Sequence, residues 1–128
     1  MDKKSNLDSS GEFLLNSSAE IVSILKTIAH KKRFEILILL LDGPLTFQIL
    51  LEETNLKKSA LANHLNDLKE KSLVEKIQHG TYKITDDGKT YIKSIETAYR
   101  ENITLKRKIE ETKQRLKLTK SFLERNKK

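Results

Sequence analysis

Between Thr54 and Lys76 the chain reads TNLKKSALANHLNDLKEKSLVEK, the densest collection of side chains with something to offer a ligand. Lys57, Lys58 and Ser59 stand together, followed by Ala62, Asn63, His64 and Asn66 in the gaps between leucines. Lysine holds phosphates or guanine acceptors, asparagine pairs with adenine through two hydrogen bonds, and an alanine methyl fits against a thymine methyl. The chemistry this set offers is recognition of a polyanion with a readable surface. The competing reading is a solvated amphipathic helix, and His64, one residue before the apolar Leu65, divides evenly between a surface role and a packed one.

Other chemistries find little support. His30, His64 and His79 are far apart and the chain has no cysteine, so the clustered spacing of a zinc or transition-metal site is missing. His30 reads as a helix start rather than a ligand. The pairs Glu52-Glu53 and Asp86-Asp87 read as a solvated helix end and helix-start acids, not as catalytic carboxylates. Gly11, Gly43, Gly80 and Gly88 are scattered, and none opens a phosphate-cradling loop. No enzyme activity, cofactor or metal effector is expected.

The elements that must carry the set can be read from periodicity. Residues 1–16 are polar and aperiodic and read as a flexible arm. Ser17 with Glu20 three residues on has the capping-box pattern, opening a helix with Ile21, Ile24, Leu25 and Ile28 on one face. A second helix, AHKKRFEILILLLDG, is apolar nearly all round and should be buried through Phe34, Ile36, Leu37, Leu40 and Leu41, with Gly43 and Pro44 as its stop. Thr46 is placed to cap FQILLEET, and Asn55 tolerates the left-handed turn into a fourth helix running from Lys58 to about Ser72. That helix buries Leu61, Leu65 and Leu68, which turns Lys58, Ser59, Ala62, Asn63 and Asn66 towards solvent. Two helices around a short turn make a helix-turn-helix.

Next, LVEKIQ and TYKIT alternate as strands, joined at His79-Gly80 as in a hairpin. Lys76, His79 and Lys83 on that hairpin are further candidates for contact with a nucleic-acid backbone. Thr85-Asp86-Asp87 then begins a last helix that nothing but Gly88 interrupts as far as Arg125, about 40 residues or roughly 60 Å.

Three stretches in this order resemble the ArsR-type branch of winged-helix transcriptional regulators: IAHKKRFEILILL, TNLKKSALANHLNDLKEKSLVEK and YKITDDGK. The resemblance runs from about Ile24 to Ile95. It implies a mainly α fold, a winged helix-turn-helix with a small β-hairpin wing and a long C-terminal helix, acting on double-stranded DNA as a homodimer. Three positions depart from the family's pattern: Lys57 replaces a Ser/Thr cap, Ala62 a polar base-contacting residue, and Ser72 a glycine at the helix end. The wing also looks short.

The expected organisation is therefore an arm over 1–16, a DNA-binding domain over 17–95 and a basic helix over 96–128. Residues 1–99 hold 14 Lys+Arg and 14 Asp+Glu, whereas residues 100–128 hold 11 and 4, so the whole net charge of +7 lies in the tail. The basic balance is thus no argument that the central domain binds nucleic acid. Family members generally pair through their first and last helices, which points to Ile21 and Leu25 with a heptad seam of Ile95, Ala98, Asn102, Leu105, Ile109 and Leu116. A parallel pair would set Lys108 near Lys113 and Arg115 near Lys120, which favours antiparallel crossing or packing on the first helix of a second copy. Two copies would read a pseudo-palindromic operator, most simply as a repressor. A winged-helix interaction module that captures a partner with its basic helix is the alternative. The longest apolar run, Ile36 to Leu41, is far short of the roughly 18 residues a membrane helix needs, and no signal peptide is evident, so a cytoplasmic location is expected.

Overall fold

The structure is a computed structural model that describes residues 8–126. It contains helices α1 (Ser9–Asn16), α2 (Ser18–Ile28), α3 (Lys31–Leu39), α4 (Phe47–Thr54), α5 (Lys58–Glu70) and α6 (Asp86–Arg125). A 3₁₀ turn, Leu40–Asp42, closes α3, and strands β1 (Leu45–Thr46), β2 (Val74–Lys76) and β3 (Thr81–Ile84) form one antiparallel sheet in the order β1-β3-β2. Two compact units result, one ending at Thr90 and one beginning at Tyr91.

In the first unit the core is aliphatic. Ile36, Leu37 and Leu40 from α3 and its turn meet Leu50 of α4, Leu61, Leu65 and Leu68 of α5, and Leu73, Val74, Tyr82 and Ile84 around the sheet; all are buried. Full burial of such a side chain is worth about 1.5–3 kcal/mol, so these leucines fix how α5 lies. The second predicted helix is less completely buried than its composition suggested. Ile38 is exposed and Phe34 and Leu41 are half-buried, because α3 is packed on one side and breaks into the 3₁₀ turn after Leu39.

Caps explain most of the boundaries. His30 Nδ1 accepts from the Lys32 N–H at 3.2 Å and starts α3, and Thr46 Oγ1 accepts from the Ile49 N–H at 3.2 Å to start α4. Thr85 Oγ1 accepts from the Gly88 N–H at 3.0 Å to start α6 while donating to the Ser72 carbonyl at 2.6 Å. One hydroxyl thus ties the end of α5 to the start of α6. The α5 terminus is a Schellman motif: the Leu73 N–H reaches the Leu68 carbonyl at 3.0 Å and the Ser72 N–H the Lys69 carbonyl at 2.9 Å, with Ser72 left-handed at φ 58°.

Three local expectations are corrected. Ser9–Asn16 is helical rather than an irregular arm, because Asp8 Oδ1 caps it by accepting from the Gly11 N–H at 2.7 Å; residues 1–7 of that arm lie outside the described residues. Ser17 does start α2, but without a capping box. It also ends α1, at φ −105° and ψ 8°, and a cap residue needs an extended backbone to aim its hydroxyl at the first turn. The wing has three strands, since Leu45-Thr46 pairs with Tyr82 and Thr81 on the far side of β3.

The second unit is the continuous helical run of α6 from Tyr91 onward. Its distal apolar side chains lie open: Leu105, Ile109, Leu116, Leu118, Phe122 and Leu123 are all exposed. No helix among the described residues is long and apolar enough to cross a membrane.

Candidate nucleic-acid interface

The turn between α4 and α5 is made by three residues. Asn55 takes the left-handed conformation (φ 58°, ψ 27°) with its N–H on the Leu51 carbonyl at 3.1 Å, Leu56 is half-buried in the corner, and Lys57 is extended. Lys57 supplies no side-chain cap, so the first N–H groups of α5 are left for other acceptors.

From this start the outer face of α5 unrolls as the spacing predicts. Lys57, Lys58, Ser59, Asn63 and Asn66 are exposed, Ala62 is half-buried between them, and Leu61, Leu65 and Leu68 are fully covered on the opposite side. The face is polar and short-chained, a shape that can approach base edges in a groove about 12 Å wide.

His64 stands apart from this group. Its Nδ1 accepts from Arg33 Nε at 3.2 Å, and its ring lies 4.5 Å from that of His30. That places the neutral imidazole's proton on Nε2. Burial, and then the neighbouring His30 and Arg33, push its pKa below the ordinary value, against the opposing pull of Asp67. The Arg33 bond and the His30 ring engage His64 within the fold, while its side chain is only partly covered.

Arg33 is the residue that pattern reading missed. From α3 it donates through Nη2 to Asp67 Oδ2 at 2.6 Å, through Nε to His64, and through Nη1 to the Thr27 carbonyl at 3.4 Å. His64 and Asp67, three apart, form the flank of α5, so one guanidinium holds the helix at two points and joins it to the end of α2. Arginine's planar fork suits such multi-point holding. The signal was present: Arg33 shares the spacing of Leu37 and Leu40 on the inward side of its helix, next to Lys31 and Lys32. Lys32 is also engaged, donating to the Thr54 carbonyl at 2.7 Å and so closing the end of α4.

On the wing, His79 and Gly80 occupy the turn with φ 49° and 68°, the two left-handed residues of a tight hairpin, and the Thr81 N–H closes it on the Gln78 carbonyl at 3.0 Å. Lys76, His79 and Lys83 are exposed. Two of them already have partners within the sheet: Lys83 Nζ lies 3.4 Å from Glu75 Oε1 directly across the strands, and Lys76 Nζ sits 5.9 Å above the Tyr82 ring. Among the described residues no group of three or more His, Cys, Asp or Glu side chains is placed to hold a metal ion.

Residues 30–76 match the sequence profile of the bacterial regulatory protein arsR family, which spans α3, the helix-turn-helix and the strands β1 and β2. Among solved structures, HlyU from Vibrio cholerae is 31% identical over 65% of this chain and 95% of its own, with a TM-score of 0.58. The transcriptional regulator HlyU from Vibrio vulnificus is 28% identical over 70% of this chain and 98% of its own, at 0.59. The homodimeric winged helix-turn-helix DNA-binding domain of Mb0332 from Mycobacterium bovis, 22% identical over 77% and 92% at 0.61, shares the fold. No curated protein sequence matches the chain. With a turn, an open polar helix face and a three-stranded wing all in place, the chain belongs to the arsR family of bacterial regulatory proteins, non-enzymatic DNA-binding transcriptional regulators of the winged helix-turn-helix type.

Proposed function

We propose that the chain binds a specific double-stranded operator as a homodimer and represses transcription by occupying it. The observation that carries this reading is the division of α5 into a flank held by Arg33 and a face left free. Lys57, Lys58, Ser59, Asn63 and Asn66 are exposed together on a helix that its leucines and Arg33 hold in place. In this reading α5 enters the major groove, with Asn63 and Asn66 on base edges, Ala62 against a thymine methyl, and Lys57, Lys58 and Ser59 on phosphates. Lys76, His79 and Lys83 reach the flanking backbone, Lys83 by giving up Glu75. His64 serves by holding the helix, not by touching DNA.

Dimerisation through Ile21 and Leu25 with Ile95, Ala98, Asn102, Leu105, Ile109 and Leu116 is supported by the exposed apolar surface at Leu25, Leu105, Ile109 and Leu116. It is also the state named for the Mycobacterium bovis domain of the same fold. Two copies would set two α5 helices into successive major grooves about 34–36 Å apart, so the operator is pseudo-palindromic. The working division is a DNA-binding part over 17–95 and a basic C-terminal part over 96–128, helical as far as Arg125 and with residues 127–128 outside the described residues, in a cytoplasmic protein that needs no metal effector.

The test is binding to genomic DNA fragments at several salt concentrations, for wild type and for Lys58→Ala combined with Asn63→Ala. A sequence-preferred site should emerge. The double variant should weaken it by about tenfold or more, with a salt slope reduced by about 1 for the lost phosphate contact. Equal affinity for all fragments, or an unaffected double variant, removes the operator reading.

A further inference from the structure

The apolar seam of α6 changes character at Leu105. Numbering the heptad with Ile95, Asn102, Ile109, Leu116 and Leu123 at position a, and Ala98, Leu105, Thr112 and Thr119 at d, puts Ser94, Tyr99 and Glu101 on the flanks of the proximal part. Beyond it, every flanking position up to Lys120 is basic: Lys106, Lys113 and Lys120 at e, Lys108 and Arg115 at g. These flanks choose the partner of a coiled coil. A parallel self-pair sets g against e, and an antiparallel one sets e against e and g against g. Where two copies of this distal stretch meet each other, both arrangements bring only like charges together; an antiparallel pair escapes this only by running the distal stretch along the proximal part of its mate, where Glu101 stands at g and Tyr99 at e. Each such contact opposes pairing by a few tenths of a kcal/mol.

We propose that the distal stretch, Lys106 to Leu123, is a docking helix for an amphipathic helix of another protein that carries aliphatic residues on its seam and Asp or Glu on both flanks. The inference rests on the dimer reading only for the seam up to Leu105, and it reassigns Ile109 and Leu116 from self-pairing to the partner. Charge complementarity commits it to one occupant. Duplex DNA would satisfy the five basic flanks but would leave Ile109, Leu116 and Leu123 uncovered, and Leu116 is 65% exposed. A lipid surface calls for a broad apolar face. Here Thr112 and Thr119 interrupt the seam, the further exposed apolar side chains Leu118 and Phe122 stand apart from each other at c and g instead of widening it evenly, and Glu110, Glu111 and Glu124 lie at the outer b and c positions. An acidic zipper partner uses both features at once.

The full-length protein can be tested with a fluorescent synthetic helix of about three heptads, leucine and isoleucine on the seam and glutamate on both flanks. A scrambled peptide of the same composition, vesicles of phosphatidylserine and phosphatidylcholine, and a non-specific DNA duplex serve as the other arms. The zipper peptide should bind at least tenfold more tightly than its scramble. Lys106→Glu, Lys113→Glu and Lys120→Glu together should reduce that binding by tenfold or more and create binding to a peptide with lysine on the flank that faces them and glutamate on the flank that faces Lys108 and Arg115. These substitutions lie on exposed positions of the distal helix and leave the proximal seam and α5 untouched. Light scattering and operator binding, measured on the same variant, therefore report on the dimer and DNA readings separately. Equal binding of zipper and scramble overturns the proposal, as does a protein that binds vesicles or DNA through Leu116 but not the zipper. Rapid disulfide formation between two copies of a Leu116→Cys variant, undiminished by excess zipper peptide, also overturns it, because the distal seam would then be pairing with itself.

Discussion

Helix α5 and the distal part of α6 are written in nearly the same alphabet: leucine at helical spacing, lysine and asparagine or threonine between. Their surroundings make them opposites. In α5 the leucines are buried, one flank is held by Arg33, and the residues up to 99 carry no net charge. In α6 the leucines at 105, 116 and 123 are more than half exposed, and residues 100–128 carry the whole surplus of +7. The lesson is that leucine periodicity establishes an apolar face and nothing more. Whether that face becomes core or interface depends on whether a turn brings other elements back onto it.

The sharpest way to break this contrast is the same substitution on both sides of it. Leu68→Ala should cost about 3–4 kcal/mol in denaturant unfolding, since it empties a fully covered site. Leu116→Ala should fall within about 0.5 kcal/mol, as for an exposed position. A loss above about 1 kcal/mol for Leu116→Ala would mean that the distal seam is already covered in the free protein by a second copy.

A glycine at the start of α6 should give the next largest effect, with a sign opposite to the usual one. Replacing glycine by alanine in a helix normally gains up to about 1 kcal/mol. At Gly88 an added methyl would run into the backbone oxygen of Leu73 and lie 2.7 Å from Ile84 Cγ1, and the Gly88 N–H is already held by Thr85 Oγ1. Neither the carbonyl nor the helix start is free to yield. Gly88→Ala should therefore destabilise by about 2–3 kcal/mol, read as a fall in the urea midpoint. The reverse exchange at the other end of the same junction should stabilise. Ser72 holds a left-handed φ of 58° with no glycine to ease it, so Ser72→Gly should gain about 0.5–1 kcal/mol in the same measurement.

How much of this was legible in the chain follows from how far apart the interacting residues are. The turn at Asn55, the caps at Thr46 and Thr85, the hairpin at His79-Gly80 and the buried face of α5 are each decided by residues within four or five positions. All were read from spacing. Strand β1 is two residues long and exists only because Leu45 meets Tyr82, a pairing no local period announces. Helix α1 depends on a single cap at Asp8 within a polar stretch that has no apolar stripe. Arg33 reaches 31 and 34 residues along the chain, so one member of a basic run becomes the anchor of α5. At the site, spacing sorted the exposed face of α5 correctly. It could not reveal that Lys83 and Lys76 already have partners on their own sheet, which depends on the strand register.

The smallest effect tests that anchor through pH. The folded protein holds His64 below its ordinary pKa of 6.5, mainly through burial and then through His30 and Arg33, with Asp67 opposing. The facing groups are thus Arg33 and His30 from α3 and its cap, and Asp67 one turn along α5. Above that ordinary value both folded and unfolded chains keep the imidazole neutral and His64 contributes no pH dependence. As pH falls below it, the unfolded chain takes up the proton first, so native stability declines until the lowered native value is passed. Protonation also turns Nδ1 from acceptor to donor and ends the bond from Arg33 Nε. His64→Gln should flatten the acid side of the stability profile between about pH 5 and 7, read as the difference from wild type in thermal midpoint across that range. Asp67→Asn should steepen it, because it removes the charge that favours the imidazolium. A wild-type profile indistinguishable from that of His64→Gln would mean that the Arg33 contact does not govern the protonation of His64, and that Arg33 holds α5 through Asp67 alone.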